Sequence, residues 1–205
     1  TREALRPPLI DALRRMHMAM MAQGDPWVSK LEGAYLTPEV LRRHESTHPP
    51  VPTLNEGNFH LAPLGNDWNI QRKVLRETSV AISGPPLNDW IDPVTEEAVR
   101  EAVRRVLADW WAPMLDDPSP LHRPGYQPFA VLSMCRALHT LTTGELASKE
   151  AAATWARAIL PATWTPLIDH ARRWQYGAPS ASIEHTLAFM KFVMGLCDRV
   201  GVRLT

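Results

Sequence analysis

The chain has 205 residues, 45% of them hydrophobic, and its 22 Lys and Arg balance 22 Asp and Glu at a formal net charge of zero. That composition belongs to a folded domain and not to a disordered tail. A neutral balance withholds the long-range pull that draws proteins to nucleic acid or to an anionic membrane surface, and no apolar run approaches the ~20 residues that span a bilayer.

In chain order, Thr1 opens the sequence with no signal-peptide pattern and no initiator Met, which reads as a trimmed or processed start. Leu9, Leu13, Met16 and Met20 recur at helical spacing and predict a helix over about 8–22. Trp27-Val28 and Leu31 to Leu36 predict a short strand region, closed by Thr37-Pro38. Residues 44–56, rich in His, Pro and Asn, predict a loop. Phe59 to Leu61 reads as a second strand, Asp67 to Glu77 as a helix, and Val80-Ala81-Ile82 as a strand ending at Gly84.

Gly84-Pro85-Pro86 divides the chain, and beyond it every element is helical. Val99, Ala102, Val103, Val106, Leu107, Trp110 and Trp111 form one apolar stripe along a helix that Pro113 and Pro118 end. A second helix runs from about Gln127 to Thr142, stopped by Gly144. Ser148 is the N-cap of a third, which runs to Leu160. Two more follow near Trp164–Trp174 and Ile183–Val200, the last with Ile183, Leu187, Met190, Met194, Cys197 and Val200 turned inward. Five helices with short connections predict a bundle. Cys135 and Cys197, the only two cysteines, sit among apolar residues and read as core thiols in a reducing, cytoplasmic compartment.

The run with most chemistry is Cys135 to Ala156, CRALHTLTTGELASKEAAATWA. Arg136 lies inside an otherwise apolar helix, and Lys149 begins the next one, where the positive end of the dipole disfavours it. From spacing alone the plain reading comes first: a solvated lysine beside Glu150, and an arginine paired with a helix-core carboxylate. The alternative is an anion at the helix start, with open N–H groups, Lys149 and Arg136 converging on a phosphate chain. His44 and His48, four apart, offer two metal ligands, but Pro49-Pro50 opposes a helix and no third ligand is in reach of the pattern. No metal site is assigned.

The same run resembles the C-terminal helical domain of the streptomycin/spectinomycin adenylyltransferases and their uncharacterised relatives. Shared are Cys/Ser-Arg, Thr-Gly, Ser/Pro-Lys, Ala-Ala-x-Trp-Ala, Leu160-Pro161 and Trp164-x-Pro166-Leu167; Val80 to Pro85 and Ile91-Asp92-Pro93-Val94 also fit. The resemblance implies an α+β, mostly α fold: a partial nucleotidyltransferase α/β domain over 1–86 and a C-terminal helical bundle over 87–205. It implies ATP and Mg²⁺ in the cleft between them, with Arg136 and Lys149 on the nucleotide phosphates. Leu31-Glu32-Gly33-Ala34-Tyr35 resembles the family's third sheet strand, which makes Glu32 the general base; without that likeness it is a surface glutamate on an edge strand. Trp110 or Trp111 matches a substrate-stacking tryptophan, and His122 and Tyr126 occupy the region of the family's antibiotic-binding carboxylates. Asp116 and Asp117 are near that region but out of register.

Two departures stand against this. The family begins with a strand, a Gly-Ser turn and an Asp-x-Asp pair that binds Mg²⁺, and neither dipeptide pattern occurs in the sequence. The expectation is therefore an O-nucleotidyltransferase moving AMP from Mg·ATP to a hydroxyl of an amino-sugar or similar small molecule, with the 205 residues alone inactive. The alternative is a non-catalytic nucleotide- or small-molecule-binding regulatory protein on the same scaffold. A sheet lacking its first strands leaves an open edge, which a second copy of the chain would cover as a homo-oligomer.

Overall fold

The computed structural model describes residues 5–43, 45 and 48–202. They form two units that divide between Pro93 and Val94, later than the boundary expected at Pro86. The architecture is mostly helical with one small sheet.

In the first unit, α1 (Pro7–Ala22) begins on a Pro pair, where a missing N–H costs a helix nothing. Its buried residue is His17; Ile10, Leu13 and Met20 are half-buried, whereas Leu9 and Met16, expected inward, are exposed. Aromatic contact turns the helix: the His17 ring stacks on Phe59 at 5.6 Å, and its Nε2 shares a 2.8 Å hydrogen bond with the Tyr35 hydroxyl. Burial pushes the Tyr35 hydroxyl above its ordinary pKa. After a 3₁₀ turn come β1 (Gly33–Ala34) and α2 (Pro38–Arg42), whose first turn is capped by Thr37 Oγ1 accepting from Val40 N.

The expected loop over 44–56 contains a strand. β2 (Val51–Asn55) and β3 (Asn58–Ala62) form a hairpin paired Asn55↔Asn58, and β1 lies on the other side of β2, all antiparallel in the order β1-β2-β3. Glu56 and Gly57 both have positive φ (48° and 78°), the backbone that matches a two-residue turn to strand twist. Proline density hid β2: Pro52 gives up a donor, yet its carbonyl accepts the Tyr35 N–H at 2.9 Å.

Helix α3 (Trp68–Thr78) carries Arg72, only 5% exposed. It donates to the carbonyls of Leu41 (3.1 Å), Arg42 and Asp92 (3.3 Å), so one guanidinium gathers the end of α2 and the segment after α3. Arg76 does the same for the carbonyls of Asn88 and Ile91. Val80-Ala81-Ile82, expected as a strand, is not one; β1–β3 do not pair with it, and Val80 and Ile82 are 86% and 98% exposed.

In the second unit, α4 (Glu96–Val106) is capped by Thr95 Oγ1 accepting from Ala98 N at 3.2 Å, with glutamates in its first turn and arginines in its last, each complementing the dipole. It does not continue as one α-helical stripe. Leu107–Trp111 is a π-helical stretch, closed by Ala112 N donating to Leu107 O at 2.8 Å, before α5 (Pro113–Asp116). The wider turn keeps Leu107 and Trp111 inward and puts Trp110 outside.

Helix α6 (Tyr126–Thr143) is the core element, with Val131, Met134, Cys135, Leu138 and Leu141 buried. It packs on α4, α7 (Lys149–Ile159), α8 (Thr165–Arg173) and α9 (Ile183–Val202). Gly144, at φ 79°, ends it, and Arg100 Nε from α4 donates to the Leu141 carbonyl at 3.3 Å, a cation on a helix C-terminus. Ala152, Ala153 and Ala156 are fully buried and let α7 lie close to its neighbours. The buried face of α9 is Thr186, Phe189, Met190, Val193 and Cys197, rotated from the expected one. Thr186 Oγ1 donates to Gln127 Oε1 of α6 at 3.3 Å, and that buried polar pair fixes the rotation.

Candidate functional site

The connection between α6 and α7 holds two cations. Arg136 projects from α6 beside an apolar face, and its Nε donates to the Ala147 carbonyl at 3.1 Å. Burial lowers its pKa from the ordinary arginine value, yet a guanidinium stays protonated at neutral pH. No carboxylate pairs with it among the described residues, so the partner that its apolar setting calls for is absent there. Lys149 is the first residue of α7 and is exposed. Its Nζ lies 5.1 Å from the centre of the Phe129 ring, a cation–π contact, and it too makes no ion pair among the described residues.

Glu150, its neighbour, is already engaged. Arg172 of α8 holds both carboxylate oxygens, Nε to Oε2 at 3.0 Å, and also reaches Asp169 at 3.4 Å. The Arg172 guanidinium keeps Glu150 below the usual glutamate range. Ser148 Oγ accepts from Ala151 N at 3.1 Å, which takes one of the N–H groups a helix start leaves open. Chemically, the junction offers two cations and helix N–H groups, with the Glu150 carboxylate taken up by Arg172, an arrangement suited to an anion.

Lys149 also borders a pocket of ≈ 340 Å³ between the first half of α6, the start of α7 and the end of α8. Phe129, Leu132, Arg172 and Trp174 share its wall. Arg172, with Arg173, reads from the sequence as a solvated basic pair, and the other three carry no site role there. Phe129 and Leu132 had a readable signal, since they precede Arg136 by seven and four residues and share its helix face. Trp174 had none, because its place depends on packing across three elements.

The other expected site residues are scattered. Glu32 is exposed and directly precedes β1. Trp110 is 53% exposed on the π-helical stretch, whereas Trp111 is 3% exposed and packs on Tyr126 (6.4 Å) and Phe129 (5.4 Å). His122 is exposed at the end of a 3₁₀ turn, and Tyr126 is half-buried at the start of α6. His44 lies outside the described residues, and His48 Nε2 is 3.3 Å from the Arg43 carbonyl oxygen. Among the described residues no group of three or more His, Cys, Asp or Glu is placed to hold a metal ion. With no Asp-x-Asp in the sequence, these residues do not fit magnesium. Cys135 and Cys197 are free, buried and pushed up to about 12 by burial, which leaves them unreactive thiols at neutral pH. No described helix is long and apolar enough to cross a membrane.

Residues 89–195 match the family described as aminoglycoside adenylyltransferase, C-terminal domain. An aminoglycoside (3'') (9) adenylyltransferase of Klebsiella pneumoniae is 35% identical over 147 residues, 70% of this chain and 53% of that protein. One of Rhizobium radiobacter is 31% identical over 148 residues, 68% of this chain and 51% of that protein. The chain thus spans about half the length of these curated relatives. The structure of a spectinomycin adenyltransferase from Enterococcus faecialis with ATP and spectinomycin superposes with a TM-score of 0.64 at 17% identity, covering 82% of this chain and 68% of that one; at that identity it establishes the fold. With residues 89–195 of 205 matched, in the stretch that carries Arg136 and Lys149, the chain belongs to the aminoglycoside adenylyltransferase family.

Proposed function

We propose that this chain is the nucleotide-gripping portion of a cytoplasmic adenylyltransferase that moves AMP from ATP to a hydroxyl of an amino-sugar or related small molecule. The observation that carries the reading is the α6–α7 junction, where Arg136 and Lys149 stand without carboxylate partners among the described residues. A half-buried guanidinium with one neutral carbonyl partner is costly to keep; an anionic ligand supplies the missing half. The family match and the relatives' names add the substrate class.

In the reaction so proposed, the Glu32 carboxylate accepts the proton of the acceptor hydroxyl. The oxygen forms a bond to the α-phosphorus, the bond from that phosphorus to the bridging oxygen breaks, and pyrophosphate leaves. Arg136 and Lys149 take up the negative charge gathering on the leaving group. Trp110, His122 and Tyr126 are assigned to the acceptor, with the exposed Trp110 free to stack on it, whereas Trp111 is packed in the core and takes no part. A second reading is a nucleotide-binding protein without transfer chemistry, which needs only the cations of the α6–α7 junction.

Calorimetric titration of ATP into the chain tests the shared part of both readings. Arg136→Ala and Lys149→Ala should each weaken binding by about 1.5–3 kcal/mol, the range for charged hydrogen bonds; unchanged affinity in both removes the phosphate site. In the same samples with Mg²⁺ and a panel of amino-sugars, the chain alone should release no pyrophosphate above background. Release that Glu32→Gln abolishes would show the chain to be catalytically complete.

A further inference from the structure

Helix α1 carries a run of sulfur and imidazole that no step of the proposed reaction uses, Met16-His17-Met18-Ala19-Met20-Met21. Residues three and four apart are neighbours on a helix surface, so Met20 and Met21 flank the line of His17, whereas Met16 and Met18 point away from it. Exposure follows that division: Met18 is 65% exposed and Met16 44%, against 4% for His17, and Met20 is half-buried. His17 and Met21 reach the same hairpin. The His17 ring stacks on Phe59 at 5.6 Å, and Met21 Sδ stands so close to the β2–β3 turn that a Cβ at Gly57 would fall 2.6 Å from it. Met21 is 38% exposed, so the cluster is reached from solvent on that side.

The two ring nitrogens of His17 are unequally served. Nε2 shares its 2.8 Å hydrogen bond with the Tyr35 hydroxyl, while Nδ1 is buried and has no hydrogen-bond partner among the described residues. A buried polar atom left unpaired is costly and calls for a reason. With the Nε2 proton given to the Tyr35 oxygen, Nδ1 holds a bare lone pair, which is the tautomer and the outer hydrogen bond of a metal-bound histidine. The donor set is one imidazole with thioethers. Zinc and magnesium take thiolate, carboxylate or other oxygen ligands that the set lacks, whereas thioethers suit copper(I). We propose that His17 Nδ1 and the Met21 sulfur, joined by that of Met20, bind copper(I), with Tyr35 orienting the imidazole. The site lies wholly within the first unit and is independent of the phosphate reading of Arg136 and Lys149.

The test titrates copper(I) into the 205-residue chain, without oxygen, against a coloured copper(I) chelator such as bathocuproine disulfonate. The chain should take up a single equivalent. His17→Phe, which keeps a ring on Phe59, should abolish uptake. Tyr35→Phe should weaken it by about 10–100-fold, the range for loss of the partner behind a metal-bound histidine, and Met21→Leu and Met20→Leu should each cost at least as much. Met16→Leu and Met18→Leu should leave it unchanged. No uptake by the parent chain overturns the site. So does uptake by His17→Phe equal to the parent's, which would put the ion on the buried thiols of Cys135 and Cys197 or elsewhere. Equal weakening by Met16→Leu, Met18→Leu and Met21→Leu would make the sulfurs a loose surface collection and overturns it too. Should the His17 and Tyr35 variants fail to fold, diamagnetic silver(I) replaces copper(I) in nuclear magnetic resonance of the parent chain. The Met20 and Met21 methyls and the His17 ring should then shift together; shifts confined to Met16 and Met18, or an unmoved His17 ring, overturn the assignment.

Discussion

At the residue scale, Arg136 carries the most information because of what it lacks. Breaking a buried ion pair costs about 3–5 kcal/mol, because one charge is left behind, but among the described residues Arg136 has only the Ala147 carbonyl. Its removal forfeits one hydrogen bond and relieves the burial that depresses its pKa. Arg136→Met should therefore alter unfolding free energy by no more than about 1 kcal/mol, measured by urea denaturation. A loss of about 3 kcal/mol or more would mean the arginine supports the core, and the binding assignment would lose its footing. The sequence exposed this residue and Lys149 plainly, since a cation in an apolar stripe and a lysine after a Ser N-cap are both local anomalies. The same stretch gave no sign of Trp174, whose position is set by Gly125 and Ala178, on either side of it in the chain.

At the scale of elements, legibility followed the number of independent local signals. Helix α7 had a cap, an alanine-rich face and a terminating proline, and its limits were readable. Helix α9 had period but too many apolar residues of similar weight; the buried Thr186–Gln127 bond chose the face, and a hydroxyl at a core position does not register in an apolar pattern. Strand β2 was masked by its prolines, and Val80–Ile82 has strand composition without a strand to pair with. The joints between elements are polar, and one of them titrates. Asp92 accepts from Arg43 Nε at 2.5 Å and Arg42 Nη1 at 3.2 Å, and the hydrogen bond from Arg43 holds its carboxyl below the usual aspartate range. A lowered folded pKa contributes stability that is complete above the ordinary value of about 3.9 and lost as pH falls through the folded one. Denaturation midpoints followed from about pH 5 to about pH 2 should drop less steeply for Asp92→Asn than for the parent. Because the pair is solvent-exposed the difference should be modest; superimposable acid profiles would mean the pair contributes nothing.

At the scale of the whole molecule, the two units differ in how they bury themselves. The second is built around α6, covered by four other helices. The first has a three-stranded sheet, a helix with one buried side chain, and an exposed Val80–Ile82 segment. Local opening follows buried contact. Amide hydrogen exchange should accordingly be slowest in α6, at the global limit, and fast in α1 and residues 79–85; uniform protection across both units would contradict this. The family was legible in the second unit because its residues are fixed by mutual packing, and less so in the first, where short elements carry weak periods.

The π-helical stretch has a consequence of another kind. A π-helical turn holds one residue more than an α-helical turn and interrupts the regular spacing of the side chains along the helix. In Leu107–Trp111 the extra residue leaves the inward ring of Trp111 in the core and hands a second indole, Trp110, to the surface. Two adjacent tryptophans are thereby given opposite surroundings, so the fluorescence of Trp110 and not that of Trp111 should be open to an aqueous quencher.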